Sequence, residues 1–215
     1  MTPREASQQL EGLCRLAPVI PVLVVEDPAD AAPLARALVA GGLPVLEVTL
    51  RTPAALEVIA EMAKVEGGVV GAGTLLTPED VAAAKAAGAR FGVSPGSTDA
   101  LLTACKAEDM PLLPGAATAS EAMQLLEYGY SVQKFFPAEA AGGVAMLKSL
   151  AAPLPQVRFC PTGGISPDNA EDYLALRNTL CVGGSWVAPK ELVARKDWDG
   201  ITALAARAGR LGEED

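Results

Sequence analysis

The sequence predicts a single α/β domain: eight alternating strand and helix units closed into a (β/α)8 barrel of the TIM type, preceded by an N-terminal helix. Short apolar segments recur at a steady spacing and end in Gly, Pro, Ser or Thr, which is typical of buried strands. Strict alternation with helical stretches predicts a parallel sheet with helical crossovers, and eight units favour the closed barrel over an open sheet. Because no linker or composition shift divides the 215 residues, we expect one domain over residues 1–215.

The elements are predicted in order along the chain. An amphipathic segment at about 4–16 precedes the first strand, and helical segments at about 189–210 close the chain. The predicted strands are 18–25, 43–50, 69–74, 89–94, 111–115, 131–136, 157–161 and 179–185. The helices between them are 29–42, 52–68, 77–89, 97–109, 118–129, 142–152 and 166–177.

Capping signals support three of these helices. Thr52 and Thr77 each precede a proline, the pattern of an N-cap followed by a first-turn proline. Thr118 and Glu121 have the spacing of a capping box.

Composition and charge exclude several classes of function. Half of the residues are hydrophobic and 20% are charged, which is typical of a globular chain. The net charge of −9, without a basic stripe, argues against binding to nucleic acid. An anionic substrate would need local positive groups or backbone N–H donors.

The chain has no histidine, which excludes Ser-His and Cys-His catalysis and histidine-ligated zinc sites. Its four cysteines are scattered, which predicts buried, reduced thiols in a cytoplasmic protein. The longest apolar run, residues 16–25, is too short to span a bilayer, and Glu5 and Glu11 argue against a signal peptide. We therefore expect no metal, no cofactor and no membrane association.

Lys134 is the most informative residue. It lies in a predicted strand with Val132 and Phe136 on the same face, where a lysine is costly unless it has a partner or a task. Desolvation lowers the pKa of a lysine amine and frees it as a nucleophile, the profile of a Schiff-base lysine. A lysine paired with a buried carboxylate, or one extending from a strand end, would fit this segment alone equally well.

The second predicted strand carries Glu47, Thr49 and Arg51 on one face. A structural ion pair would explain these charges. The functional interpretation gives Glu47 proton transfer and Arg51 recognition of a carboxylate. In a barrel these groups meet at the carboxyl ends of the strands, where active sites lie.

Glycine-rich segments end several other strands at the same predicted mouth. Residues 71–74 (GAGT) end in Thr74, and paired glycines stand at 163–164 and 183–184. Such turns after the seventh and eighth strands are the usual phosphate site of this fold. A lysine and a glutamate without metal suggest imine chemistry on a ketone, and the arginine and the phosphate site suggest a phosphorylated 2-oxo acid.

These motifs closely resemble the bacterial KDPG/KHG aldolases, class I enzymes that cleave 2-dehydro-3-deoxy-6-phosphogluconate (KDPG) to pyruvate and glyceraldehyde 3-phosphate in the Entner-Doudoroff pathway. The resemblance runs in order over nearly the whole chain. It rests on ALVAGGLPVLEVTLRT (37–52), VGAGTLL (70–76), SPGST (94–98), KFFPAEAAGGV (134–144), VRFCPTGGISPDN (157–169) and CVGGSW (181–186).

The resemblance implies a role for each site residue. Lys134 would form the Schiff base and Glu47 would be the acid/base, while Arg51 and Thr74 would hold the pyruvate end. Thr162 would line the site, and Gly163, Gly164 and Ser185 would bind the phosphate. The family also implies a metal-independent homotrimer. Glu139 matches the family motif and is interpreted as a loop-ordering residue without a catalytic role.

Alternatives remain open within and outside this family. The main substrate could be KDPG, its galacto epimer or 4-hydroxy-2-oxoglutarate (KHG), and Ala116, where the family usually has Ile or Val, leaves fine discrimination open. A phosphosugar epimerase or isomerase would share the phosphate loops but would not need Lys134. A non-catalytic sugar-phosphate-binding barrel would not need a lysine, a glutamate and an arginine at one mouth.

Overall fold

The computed structural model describes residues 1–212; residues 213–215 of the predicted domain lie outside this range. The helices are α1 (Pro3–Cys14), α2 (Ala31–Ala40), α3 (Ala55–Met62), α4 (Pro78–Ala86), α5 (Asp99–Ala107), α6 (Ala119–Tyr128), α7 (Gly143–Ala151), α8 (Ala170–Leu174), α9 (Lys190–Ala194) and α10 (Trp198–Ala208). One turn of 3-10 helix, Pro28–Asp30, precedes α2.

The strands of this part of the chain are β1 (Val19–Leu23), β2 (Val45–Thr49), β3 (Val69–Gly73), β4 (Gly92–Val93), β5 (Leu112–Leu113), β6 (Gly115–Ala116), β7 (Val132–Phe135), β8 (Arg158–Pro161) and β9 (Val182–Gly184). They pair in parallel in the orders β5-β4-β3-β2-β1-β9 and β6-β7-β8. Helices follow the strands in alternation. The predicted α/β class with a parallel sheet is confirmed, and the sheet is curled.

The predicted fifth strand is present as two short pieces, β5 and β6, separated by Pro114. Proline has no backbone N–H to donate to a neighbouring strand, so ladder pairing stops there. Gly115 then pairs with Lys134 of β7. Two isolated parallel bridges, Phe159 to Thr179 and Thr162 to Gly183, link β8 to the segment that contains β9.

Two of the three predicted capping motifs are present. Thr77 forms a capping box with Asp80 at α4, and Thr118 forms one with Glu121 at α6. The predicted cap at Thr52 is wrong, because α3 begins only at Ala55. The Thr52 hydroxyl instead donates to the Val25 carbonyl at 2.8 Å, so it ties the loop after β2 to the loop after β1.

The core has two layers. The larger one lies between the sheet and its surrounding helices, and the smaller one fills the concave side of the sheet. Helix α1 packs against β5 and β7, and its Leu10 and Cys14 join the inner layer. The apolar inner layer therefore occupies the α1 end, which leaves the carboxyl ends of the strands for polar groups. No helix in residues 1–212 has the length and apolar character needed to cross a membrane.

Candidate active site

Two oppositely charged side chains meet inside the curled sheet. Lys134 Nζ of β7 lies 3.3 Å from Glu47 Oε1 of β2, with side chains only 7% and 4% exposed. Strand geometry explains the meeting, because alternate residues face one side and Val132 and Val45, two positions before each charge, belong to the inner core. Both side chains therefore lie on the inner face, the face that these valines occupy.

Glycines make room for the Glu47 carboxylate. In the β2–β3 register Glu47 pairs with Gly71, and Thr49 pairs with Gly73. A Cβ added at Gly73 would overlap Glu47 Oε1, and one added at Gly71 would overlap the Phe91 ring. These two glycines of β3 therefore have a packing role.

An aromatic ring completes the surroundings of the lysine. The Phe136 ring centroid lies 5.1 Å from Lys134 Nζ, a distance at which the ring face attracts a cation. Phe136 also lines a cavity at the carboxyl end of the sheet, so it connects the buried amine with that cavity.

Arg51 is positioned by a chain of hydrogen bonds. Its Nε donates to Thr49 Oγ1 at 3.1 Å, and the Thr49 hydroxyl donates to the Leu23 carbonyl at 2.9 Å. Arg51 itself is exposed and follows the end of β2. The remaining guanidinium donors are therefore available for a carboxylate.

Thr74 has a left-handed backbone, with φ of 64°. This conformation is unusual for a β-branched residue and is found where the surrounding structure holds it, often at functional sites. The backbone amide of the next residue, Leu75, donates a hydrogen bond to the Val93 carbonyl at 3.1 Å. Thr74 directly follows Gly73, the residue that lies against the Glu47 carboxylate. It does not line the cavity that holds Arg51 and Thr162.

The other predicted site residues line one cavity of about 170 Å³. Its walls include Arg51, Phe136, Thr162, Gly163, Gly164 and Ser185, together with Val22, Ile165, Gly183 and Gly184. Thr162 is 6% exposed, and its buried hydroxyl has no hydrogen-bond partner. An unpaired buried hydroxyl is costly, so a bound molecule that pairs with it would recover that cost.

The turn after β8 and the end of β9 depend on glycine. Gly163 and Gly164 have φ of 102° and 78°, which side chains rarely adopt. A Cβ at Gly183 would overlap the Thr162 hydroxyl, and one at Gly184 would overlap the Trp186 ring. These two segments therefore bring backbone close to the cavity, beside the exposed Ser185.

A larger cavity, of about 290 Å³, lies between the loop after β1 and α9. Glu26, Asp27 and Asp30 contribute to its walls, and Lys196 Nζ lies 3.5 Å from Asp30 Oδ1. None of the predicted site residues lines it. The smaller cavity is therefore the candidate site, because polar groups converge there and Phe136 links it with the Lys134 amine.

The cysteines are free and buried. Burial raises the pKa of Cys105 to about 12, and contacts with the Cys14 and Cys160 thiols raise the pKa of Cys181 well above its usual value. Among residues 1–212, no group of three or more His, Cys, Asp or Glu side chains is arranged to hold a metal ion.

Three residues named from the sequence have roles in this site that the sequence did not predict. Gly73 gives space to Glu47, Thr49 holds Arg51, and Phe136 faces the lysine amine. The predicted parity of Thr49 with Glu47 and Arg51 was the signal for its role. The roles of Gly73 and Phe136 depend on contacts between strands and between a strand and its following loop, which no local pattern shows.

Comparison with known proteins now adds to this geometry. The family model for KDPG and KHG aldolase matches residues 10–204. A KHG/KDPG aldolase of Escherichia coli K12 is 52% identical over 199 residues, 92% of this chain and 93% of that protein.

Two solved structures are similarly close. The 2-keto-3-deoxy-6-phosphogluconate aldolase of Zymomonas mobilis ZM4, with 3-phosphoglycerate, has a TM-score of 0.91 and 53% identity over 95% of this chain and 97% of that chain. A KDPG aldolase from Legionella pneumophila, with pyruvate captured as a covalent carbinolamine, has a TM-score of 0.90 and 48% identity over 93% and 97%. The chain belongs to the KDPG and KHG aldolase family.

Proposed function

We propose that this protein is a class I aldolase, a carbon–carbon lyase that reversibly cleaves KDPG to pyruvate and D-glyceraldehyde 3-phosphate. The observation that carries the proposal is the Lys134–Glu47 pair, two charged groups held 3.3 Å apart inside a sheet. Removing two charges from water costs several kcal/mol per ion, and a buried pair often fails to recover this cost. A chemical task is therefore a better reason for the pair than stability.

The first half of the reaction forms the imine. Glu47 accepts a proton from the Lys134 ammonium, and the free amine adds to the C2 ketone of the substrate to give a carbinolamine. The carbinolamine hydroxyl leaves as water with the proton from Glu47, and an iminium remains. The carbinolamine of the Legionella relative is the species formed when an amine adds to the ketone of pyruvate, which supports this step.

The second half breaks the carbon–carbon bond. The Glu47 carboxylate takes the proton of the C4 hydroxyl, and the C3–C4 bonding electrons move into the iminium. The aldehyde leaves and an enamine of pyruvate remains. Glu47 then returns its proton to C3, and water hydrolyses the new iminium to pyruvate and the Lys134 ammonium. Throughout the reaction, Arg51 pairs with the carboxylate of the substrate, and Thr74 holds the same end of the substrate.

The phosphate is assigned to the turns after β8 and β9. Gly163, Gly164 and Ser185 share the cavity with Arg51, so one cavity can hold a carboxylate at one side and a phosphate at the other. The 3-phosphoglycerate in the Zymomonas structure is a three-carbon phosphate and supports a phosphorylated substrate. The Escherichia coli relative is named for both KHG and KDPG, so KHG remains a second candidate substrate.

The same proposal includes the whole assembly. We infer that the described residues, 1–212, form one closed (β/α)8 barrel. The bridges between Thr162 and Gly183 and between Phe159 and Thr179, and the single residue Pro114 between β5 and β6, support closure. Free cysteines support a cytoplasmic location. A homotrimer follows from the family resemblance, and sedimentation should give three times the 22.0 kDa chain mass.

Trapping the imine tests the function directly. Borohydride added to the enzyme with pyruvate should leave a reduced pyruvyl adduct on Lys134, located by peptide mass mapping, and Lys134→Ala should gain none. KDPG cleavage should fall by at least about 10³-fold in the same variant, because the covalent route is lost.

Lys85 and Lys148 serve as internal controls, since both are surface lysines of helices. An adduct on either of them in place of Lys134, or full turnover by folded Lys134→Ala, would remove the Schiff-base assignment. Cleavage of KHG at a higher kcat/KM than KDPG would favour the second substrate.

A further inference from the structure

The loop after β7 runs alongside the glycine turn after β8. The Ala138 amide donates to the Thr162 carbonyl at 2.8 Å, and the Glu139 amide donates to the Gly163 carbonyl at 3.1 Å. These bonds continue the β7–β8 pairing beyond the strands. The position of the Gly163–Gly164 turn is therefore set by the segment that follows Lys134.

The Glu139 side chain strengthens this connection. A Cβ added at Gly164 would lie 2.6 Å from Glu139 Cγ, so the stem of the glutamate packs against the turn. Its carboxylate accepts a hydrogen bond from the hydroxyl of Tyr173, which is fully buried in α8. Helix α8 follows the glycine turn in sequence, so the bond joins both sides of the turn.

The tyrosine hydroxyl remains a donor at neutral pH. Burial raises the pKa of Tyr173, and its hydrogen bond to Glu139 raises that pKa further. Gly143, with φ of 56°, allows the pair to fit: a Cβ there would lie 3.1 Å from the Tyr173 hydroxyl and 3.3 Å from Glu139 Oε1. The absence of a side chain at Gly143 therefore leaves space for the Glu139–Tyr173 pair between α7 and α8.

The Glu139 carboxylate is negatively charged, so the direction in which it points affects a neighbouring anion site. A carboxylate next to an anion site repels the anion, and Glu139 adjoins both glycines of the proposed phosphate turn. The cavity is lined by Gly163 and Gly164, whereas the Glu139 carboxylate is bonded to Tyr173 and is not part of the wall. The tyrosine therefore holds a negative charge away from the ligand.

We propose that Glu139 and Tyr173 are positioning residues that fix the Gly163–Gly164 turn relative to Lys134 and hold the carboxylate away from a bound phosphate. This inference rests on the proposed function and adds residues that determine how strongly the phosphorylated end is bound. Neither residue contacts the reacting atoms.

Three variants separate packing from charge. Tyr173→Phe leaves the carboxylate without its donor and should raise KM for KDPG about tenfold with kcat changed less than about twofold. Glu139→Gln keeps the stem and an acceptor for the tyrosine without the charge, so its effect should be smaller. The KM of the double variant, Tyr173→Phe with Glu139→Gln, should lie closer to that of Glu139→Gln than to that of Tyr173→Phe, because removing the charge relieves the repulsion.

Two further measurements use other probes. Inorganic phosphate should inhibit Tyr173→Phe less strongly than the wild type, and cleavage of the unphosphorylated analogue 2-dehydro-3-deoxygluconate should be unchanged. Tyr128→Phe is the matched control, because Tyr128 also donates to a carboxylate, that of Asp99 at 2.8 Å, but lies on α6 away from the turn. It should change none of these quantities.

The outcomes are distinct. Equal losses for phosphorylated and unphosphorylated substrates, an unchanged KM in Tyr173→Phe, or a double variant worse than Tyr173→Phe would each overturn the positioning role. Failure of Tyr173→Phe to fold would make the pair a stability element and overturn it as well. Failure of the proposed function would appear differently, as absence of KDPG cleavage and of a pyruvyl adduct in the wild type.

Discussion

The two ends of the candidate site are built from different materials. The proposed pyruvate end uses charged side chains on strands, with Lys134 and Glu47 almost fully buried. The proposed phosphate end uses a turn in which Gly163 and Gly164 have positive φ. Proton transfer and imine formation need desolvated groups in fixed positions, whereas an anion can be bound by backbone N–H groups and hydroxyls. Substitutions at the first end should therefore affect kcat, and those at the second should affect binding.

Among variants that keep Lys134, Glu47→Gln should lower kcat the most. Loss of one general acid/base typically costs about 10²–10⁴-fold in kcat, while the amine can still form an imine. Steady-state KDPG cleavage and borohydride trapping measure the two effects. Near wild-type turnover in a folded variant would remove Glu47 from the mechanism.

Gly73→Ala tests whether the space beside Glu47 matters. The new Cβ would overlap the Glu47 carboxylate, so the side chain must shift, and a displacement of about 1 Å at a reacting group can cost up to about 10²-fold. We expect kcat to fall while the Kd for inorganic phosphate stays unchanged. Gly12→Ala is the control, because a Cβ there meets nothing within 4 Å. Equal kcat in both variants would show that Glu47 tolerates the crowding.

Gly164→Val and Ser185→Ala test the proposed phosphate end of the site. A branched residue at φ of 78° is strained and would displace the turn, and the serine variant removes one hydroxyl beside the cavity. Both should lower kcat/KM for KDPG relative to the unphosphorylated analogue. Proton exchange at the pyruvate methyl should survive, since it needs only the pyruvate end. A uniform loss of all three activities would mean that the turns shape the whole site.

Removal of metal should have no effect. The chain has no histidine, and the proposed steps use only a lysine and a glutamate. Activity after exhaustive EDTA treatment should equal that of the untreated enzyme. A loss restored by zinc or magnesium would indicate a different class of lyase.

Alkylation of the native thiols should be slow and should leave activity unchanged. The raised pKa values of Cys105 and Cys181 keep these thiols protonated at pH 8, and burial blocks access. Iodoacetamide at pH 8, followed by mass spectrometry, should modify them only after denaturation. Fast labelling of the folded protein would show that the inner core opens.

Element order, shared strand faces, glycine segments and family could all be predicted from the sequence. Alternation of apolar segments and helices gave the element order. Strand parity put Lys134 on one face with Val132 and put Glu47 on one face with Arg51, because side chains alternate along a strand. Paired glycines marked both segments: Gly163 and Gly164 adopt a positive φ, and Gly183 and Gly184 leave no room for a Cβ. The family followed from ordered motifs, and the match over residues 10–204 confirms it.

Contacts between distant segments were decided only by the tertiary structure. The cap predicted at Thr52 failed because its hydroxyl bonds to Val25 in another loop, and Pro114 divided a strand that the pattern made continuous. The 3.3 Å approach of Lys134 to Glu47 spans 87 residues, and the bond from Tyr173 to Glu139 spans 34. Local patterns report which face a side chain occupies, whereas its partner depends on how the whole sheet curls.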